Sequence, residues 1–215
     1  MKIGLFFGSF NPIHLGHIEI AKNKQISQFI DEVWFVITPE SPFKQGQATA
    51  SYSHRKKMVD LALNDHSNFF ASNVELHLPS PQYTINTMKY LQKKHCTHVF
   101  SIIMGADNFV DLVNMKWKNS DYILNNFTIF VYNRQTLNTS VSLSEHIKKA
   151  YKKFQPNIRT LPGLMLDISS TLIRSILSES TLAQSSSNHF SSLKIISYLD
   201  EQVLKYILRH KLYVE

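Results

Sequence analysis

The chain has little cysteine and few glycines for its length. Its 215 residues include one Cys, at position 96, and six Gly. A single cysteine excludes an internal disulfide and is typical of the reducing cytoplasm. No apolar run approaches the ~18 residues of a membrane span, and no small-residue cleavage site follows the first apolar stretch. We therefore expect a cytoplasmic protein with neither a membrane anchor nor a signal peptide.

Several common chemical signatures are also missing from the sequence. It contains neither G-x-x-x-x-G-K-[ST] nor G-x-G-x-x-G, which excludes an ordinary P-loop NTPase and a typical dinucleotide-binding dehydrogenase. No G-x-S-x-G elbow is present, and no Cys/His cluster has zinc spacing. The sequence therefore predicts no metal held by protein ligands alone.

The composition is that of a folded chain with an anionic partner. Hydrophobic residues make up 43% and charged residues 18%, with a net charge of +7. The length fits a single domain over residues 1–215. Positive charge suits either nucleic acid or small molecules that carry phosphate. The densest basic run, residues 148–153, spaces its lysines like the solvated face of a helix.

Strand-like and helix-like segments alternate along the chain. This alternation predicts an α/β fold, a doubly wound parallel sheet with helices on both faces and a small C-terminal helical part. The predicted strands are residues 3–7, 32–38, 71–76, 98–104, 127–132 and 157–161. The predicted helices are residues 15–22, 53–64, 84–94 (with Thr84 as N-cap), 142–154, 170–177 and 192–209. Residues 178–192 include seven serines, which predicts a surface loop.

The most informative segment is residues 8–17, Gly-Ser-Phe-Asn-Pro-Ile-His-Leu-Gly-His, directly after the first predicted strand. His14 and His17 are three residues apart, so they share a helix face. They lie at a helix N-terminus, where free N–H groups and the helix dipole favour anions. The pattern favours a phosphate site, although two structural histidines would satisfy it as well.

Other polar residues follow predicted strands, where parallel sheets bind their ligands. Gly105 would let the backbone approach a ligand closely, and Asp107 suits sugar hydroxyls or, alternatively, a helix N-cap. Residues 168–174, Ile-Ser-Ser-Thr-Leu-Ile-Arg, place hydroxyls at a helix start with Arg174 one turn later. Such donors suit a polyphosphate, although a capped helix with an exposed arginine has the same pattern.

These two motifs resemble the two signatures of the nucleotidylyltransferase superfamily, which contain H-x-G-H and I-S-S-T-x-I-R. Nearly the whole chain is similar to one of its branches, the bacterial nicotinate-mononucleotide adenylyltransferases. Residues 83–87 resemble that branch's Y-T-x-D-T segment, residues 104–108 with Trp117 its G-A-D segment and tryptophan, and residues 206–213 its tail. The resemblance implies a Rossmann-like fold that joins ATP and nicotinate mononucleotide, with Mg²⁺, into deamido-NAD and pyrophosphate.

The resemblance also implies a role for each matching residue. The catalytic residues would be His14, His17 and Arg174. The ATP-binding residues would be Gly8, Ser9, Phe10, Gly16, Gly105, Asp107, Ser169, Ser170 and Thr171. The mononucleotide-binding residues would be Asn11, Lys44, Thr84 and Trp117.

The sequence departs from the family pattern at several positions. Asn11 replaces an aspartate, Phe43 replaces a histidine of P-P-H-K, and residues 134–136 replace R-P-G. Nicotinamide mononucleotide and phosphopantetheine are alternative substrates within the same chemistry. A basic nucleic-acid-binding module is an alternative from another class, but it leaves both motifs unexplained, so no nucleic-acid partner is expected. The sequence leaves open whether the chain forms a homo-oligomer.

Overall fold

A computed structural model describes residues 1–39, 50–134, 139–154, 156–164, 168–182 and 197–213. Its centre is a six-stranded sheet in which every neighbouring pair is parallel, in the order β3-β2-β1-β4-β5-β6. The strands are β1 (Lys2–Gly8), β2 (Glu32–Ile37), β3 (Phe69–Ser72), β4 (Val99–Gly105), β5 (Thr128–Arg134) and β6 (Asn157–Leu164).

The central strands are buried on both faces because their sequences are apolar throughout. Leu5, Ile102 and Ile129, on three neighbouring strands, are fully buried, as is Phe35 on β2. Continuous apolar runs of this kind are typical of parallel strands that have helices on both sides.

Helices pack on both faces of the sheet and divide the core in two. They are α1 (Leu15–Ala21), α2 (Lys24–Ser27), α3 (Tyr52–Leu63), α4 (Thr84–Lys94), α5 (Ala106–Val113), α6 (Ser120–Asn126), α7 (Thr139–Lys153), α8 (Ser170–Leu182) and α9 (Glu201–Arg209). The core on one face includes residues of α1, α2, α3, α8 and α9. The core on the other face includes residues of α4, α5, α6 and α7.

The strand order creates a crevice at one edge of the sheet. The chain runs from β1 outward to β2 and β3, then crosses back so that β4 pairs with the other side of β1. The direction of winding therefore reverses between β1 and β4. In such sheets ligands bind outside the carboxyl ends of the strands at this point. The predicted doubly wound, Rossmann-like architecture is confirmed.

Several predicted boundaries are wrong. β3 covers Phe69–Ser72 rather than 71–76, and a 3-10 turn follows at Val74–His77. α8 continues to Leu182, so the first residues of the predicted 178–192 loop are helical. Residues 197–200 of the predicted helix 192–209 are not helical, and α9 begins at Glu201, where the Asp200 side chain accepts hydrogen bonds from two backbone N–H groups; residues 183–196 lie outside the described part. None of the described helices is long and apolar enough to span a membrane.

Candidate active site

The two sequence motifs meet at the carboxyl end of β1. The Ser170 hydroxyl donates a hydrogen bond to the Pro12 carbonyl over 2.9 Å. Arg174 Nη1 donates to the Asn11 carbonyl over 2.8 Å, across 163 residues of sequence. The start of α8 therefore holds the loop between β1 and α1 directly, and the residues from both motifs form one surface.

The two histidines lie against each other within this surface. Their rings stack with centroids 3.7 Å apart and planes 30° apart, and His14 is buried. The His14 backbone N–H donates to Nδ1 of His17 over 3.2 Å. Because Nδ1 accepts this bond, the neutral His17 ring carries its proton on Nε2. The two rings are therefore direct neighbours, as the three-residue spacing predicts.

The cap at the start of α8 is one of the hydroxyls of the second motif. Ser169 Oγ accepts a hydrogen bond from the Leu172 backbone N–H over 3.1 Å, so Ser169 provides the cap. Ser170 holds the β1–α1 loop instead, and Thr171 is exposed, 3.4 Å from Arg174 Nη2. These polar side chains lie beside the loop that carries the histidines.

The β1–α1 loop begins with an unusual backbone conformation. Phe10 has a φ of 45°, in the left-handed region that non-glycine residues rarely adopt. Its ring is 2% exposed and covers Gly8, where a Cβ would lie 2.9 Å from the ring. The Phe10 side chain is thus buried in the core. Any contact of Gly8 or Phe10 with ATP would therefore be made by backbone atoms.

Asn11 is buried and uses its side-chain oxygen within the protein. Its Oδ1 accepts hydrogen bonds from the Tyr213 hydroxyl, over 2.7 Å, and from the Ala50 backbone N–H, over 3.1 Å. Burial raises the pKa of Tyr213, while the nearby charges of Arg174 and Arg55 act to lower it. Tyr213 therefore lies close to Arg174 and Arg55.

Gly105 and Asp107 follow β4, on the other side of the crevice. Gly105 is the N-cap residue of α5, so Asp107 is not the helix cap. The Asp107 side chain is exposed in the first turn of the helix. A carboxylate in this position can accept hydrogen bonds from a ligand that lies across the carboxyl ends of β1 and β4.

Thr84 and Trp117 belong to two segments that contact each other. Thr84 is the first residue of α4; the N-cap is Tyr83, so the prediction of Thr84 as the cap is wrong. The Lys118 ammonium lies 4.6 Å from the centre of the Tyr83 ring, which places the α5–α6 connection against the start of α4. Trp117 is half-buried in this connection. Lys44 lies outside the described residues.

The sequence analysis missed Arg55, which is buried next to the β1–α1 loop. One signal was available in the sequence. Arg55 precedes Met58 by three residues and Val59 by four, so it lies on the apolar, core-facing stripe of α3. A charged residue on such a stripe is rarely buried without a specific reason.

Comparison with known proteins agrees with this arrangement. Residues 5–176 match the family model described as cytidylyltransferase-like. A Cytophaga hutchinsonii protein named probable nicotinate-nucleotide adenylyltransferase is 39% identical over 83% of this chain and 87% of its own. A protein of the same name from Christiangramia forsetii is 37% identical over 96% of this chain and 95% of its own.

The fold is also that of a solved structure, described as Plasmodium falciparum nicotinic acid mononucleotide adenylyltransferase complexed with NaAD. It covers 99% of this chain and 97% of its own with a TM-score of 0.75, at 22% identity. The relatives at 37–41% identity indicate the same family as the two motifs. These motifs meet where the winding of the sheet reverses. The chain belongs to the cytidylyltransferase-like family, in the branch of the nicotinate-nucleotide adenylyltransferases.

Proposed function

We propose that this chain is a nicotinate-mononucleotide adenylyltransferase of NAD biosynthesis. It joins nicotinate mononucleotide and ATP into nicotinate adenine dinucleotide and releases pyrophosphate. The observation that carries this proposal is the direct contact of the two signature segments, through Arg174 and Ser170, beside the stacked histidines. The names of the curated relatives support the choice of substrate.

The reaction requires positioning and charge stabilisation rather than a covalent intermediate. An oxygen of the mononucleotide 5′-phosphate attacks the α-phosphorus of ATP and forms a new P–O bond. The bond from the α-phosphorus to the bridging oxygen breaks, and its electron pair leaves with pyrophosphate. His14, His17 and Arg174 hold the ATP phosphates and stabilise the charge that develops on the leaving group.

The side chains of the site suit a metal that arrives with ATP. The described residues contain no group of three or more His, Cys, Asp or Glu that could hold a metal ion. Mg²⁺ prefers phosphate oxygens, water and one or two carboxylates, so it would be held mainly by the ATP phosphates. When bound, it neutralises phosphate charge.

The two halves of the crevice bind the two nucleotides. Gly105 and Asp107 hold the adenosine of ATP, while Gly16, Ser169, Ser170 and Thr171 lie along its phosphates. Thr84 and Trp117 hold the pyridine nucleotide, supported by the contact between their two segments. Lys44 and Asn11 complete the mononucleotide site in the same proposal. We also place the enzyme in the cytoplasm, which suits its exposed free Cys96.

A paired turnover assay tests this function. The protein is given ATP and Mg²⁺ with nicotinate mononucleotide in one reaction and nicotinamide mononucleotide in another, and the dinucleotide and pyrophosphate are measured. We expect turnover with a clear preference for the nicotinate form. An equal or reversed preference would contradict the substrate, and absence of turnover with both would contradict the chemistry.

Two variants test the catalytic residues in the same assay. We expect H17A and R174A each to lower kcat by about 10²-fold or more, since each removes a group that stabilises transition-state charge. H98A and R159A are the matched controls, because His98 precedes β4 and Arg159 stacks on Phe29, away from the carboxyl edge. Near-normal kcat in folded H17A or R174A would refute the assigned roles.

A further inference from the structure

Arg55 of α3 is a buried cation that binds three segments at the carboxyl edge of the sheet. It is 5% exposed. Its Nη1 donates to the carbonyls of Ser9 over 2.7 Å and Thr38 over 2.9 Å. Its Nη2 donates to Pro39 over 2.6 Å, and its Nε donates to Ala50 over 3.2 Å. One guanidinium therefore holds the loop after β1, the residues that follow β2 and the segment just before α3.

No acidic side chain compensates this charge among the described residues. The ion pairs found there are Lys56–Asp60, Lys116–Asp111 and Lys205–Glu201, all on the surface. Every hydrogen-bond acceptor of Arg55 is a backbone carbonyl. Taking a cation out of water without a counter-ion is costly, so an anion that binds near Arg55 would offset part of this cost.

The second motif, residues 168–174, also holds the loop between β1 and α1. Arg174 donates to the Asn11 carbonyl, two residues after the carbonyl that Arg55 contacts. The Asn11 side chain accepts from the N–H of Ala50, whose carbonyl binds Arg55. Two arginines thus hold the loop that leads to His14, so we expect the loss of either one to loosen the position of the histidines.

We propose that Arg55 is a positioning residue of the adenylyl-transfer site. It fixes the β1–α1 loop against the end of β2, and its charge, which no acidic side chain of the described residues neutralises, strengthens the binding of the phosphate-bearing substrates. This inference rests on the proposed function. It adds a residue that lies outside both signature motifs and that does not touch the reacting atoms.

Two substitutions separate the charge of Arg55 from its hydrogen bonds. R55Q removes the charge, whereas R55K keeps the charge but cannot reach four carbonyls at once. R159Q is the matched control, because it removes a partly buried arginine that stacks on Phe29. KM for each substrate, kcat and Tm are measured for all three variants and for the unaltered chain.

We expect R55Q to raise KM for both substrates by about ten-fold, which corresponds to ~1.4 kcal/mol of lost binding. R55K is expected to recover most of this KM while its kcat stays low, since the loop is no longer held in one position. R159Q is expected to keep both constants. An unchanged KM in R55Q would overturn the proposal. So would an equal loss of kcat in R55Q and R55K with unchanged KM, because Arg55 would then have only a structural role.

A second measurement does not depend on turnover. Amide hydrogen exchange of residues 9–14 is expected to be faster in R55K and R55Q than in R159Q, and unchanged exchange in R55K would overturn the positioning role. If R55Q does not fold, the kinetics and exchange of R55K decide the question. An inactive unaltered chain would instead contradict the proposed function, whatever the exchange shows.

Discussion

At Asn11, the family pattern that the sequence resembles has an aspartate. In this chain the Asn11 Oδ1 accepts hydrogen bonds from the Tyr213 hydroxyl and the Ala50 N–H, and its backbone carbonyl accepts one from Arg174. These acceptor roles need no negative charge. An amide in place of a carboxylate therefore makes the potential more positive at a surface that we propose binds phosphates.

Glu75 is a second buried polar residue beside the site. It is 2% exposed, and its Oε1 accepts a hydrogen bond from the Thr87 hydroxyl of α4 over 2.9 Å. Its Oε2 has no hydrogen-bond partner among the described residues. Burial raises the pKa of Glu75, and contacts with the hydroxyls of Thr87 and Thr38 only partly oppose this effect. Glu75 thus connects the end of β2 to the helix that begins at Thr84.

The raised pKa of Glu75 predicts a specific dependence of stability on pH. The folded protein binds this proton more tightly than the unfolded chain, so stability falls as pH rises from the unfolded pKa of about 4.3 through the higher folded pKa. E75Q does not ionise. We therefore expect the Tm of E75Q to rise relative to that of the unaltered chain as pH rises above about 4.3.

E201Q is the control for this experiment, because its Tm relative to the unaltered chain is expected to change with pH in the opposite direction. The exposed Glu201 has a pKa lowered by its hydrogen bond and charge interaction with Lys205. Its contribution appears above the unfolded pKa and is lost as pH falls through the folded pKa. The Tm of E201Q should thus fall slightly relative to the unaltered chain over the same range. A Tm difference for E75Q that does not change with pH would show that Glu75 is not the titrating group.

At the scale of elements, α1 and the segment before α8 approach each other closely at Gly16. A Cβ on Gly16 would lie 2.7 Å from Cγ2 of Ile168 and 3.0 Å from Nδ1 of His14. Alanine would favour the helix by about 1 kcal/mol, but overpacking a core contact costs about 1–3 kcal/mol. We expect G16A to lower the free energy of unfolding, measured by urea denaturation, and to lower kcat because His14 moves.

The double variant G16A/I168A isolates this contact. Removal of Cγ2 from Ile168 makes room for the new methyl group, so the two substitutions should be less damaging together than the sum of the single variants predicts. Strict additivity of the unfolding free energies would show that the clash with Ile168 is not the cause. I103A is the matched single control, since it shortens a buried isoleucine that contacts Gly4 rather than Gly16.

The elements that the sequence predicted best are the strands whose residues are buried on both faces. β1, β2, β4 and β5 were predicted to within about two residues, because strands buried on both faces are continuous apolar runs. The short edge strand β3 was shifted, since Val74 to Leu78 continues its apolar pattern into a 3-10 turn. α5 and α6 were missed, because Gly105 and the polar residues near 114–119 resemble an extended loop in sequence.

At the scale of the whole molecule, the candidate site combines segments from both ends of the chain. The hydrogen bond from Tyr213 to Asn11 spans 202 residues and the bond from Arg55 to Ser9 spans 46. That His14, His17 and Arg174 are candidate site residues could be predicted because each belongs to a local motif, and the structure brings the two motifs together; their roles stay predictions. The contacts of Arg55 and Tyr213 could not be predicted, since they exist only once the tertiary fold brings distant carbonyls and amides together.

Because the site joins distant segments, ligand binding should stabilise the whole fold rather than one loop. A non-hydrolysable ATP analogue with Mg²⁺, at about 100 times its Kd, is expected to add about 2.7 kcal/mol. For a chain of this size, that raises Tm by roughly 5–10 °C. R174A should show a much smaller shift at the same concentration, because it loses both a phosphate ligand and the bond that joins α8 to the β1–α1 loop. R159Q should respond like the unaltered chain, and an equal shift in R174A would place the nucleotide elsewhere on the protein.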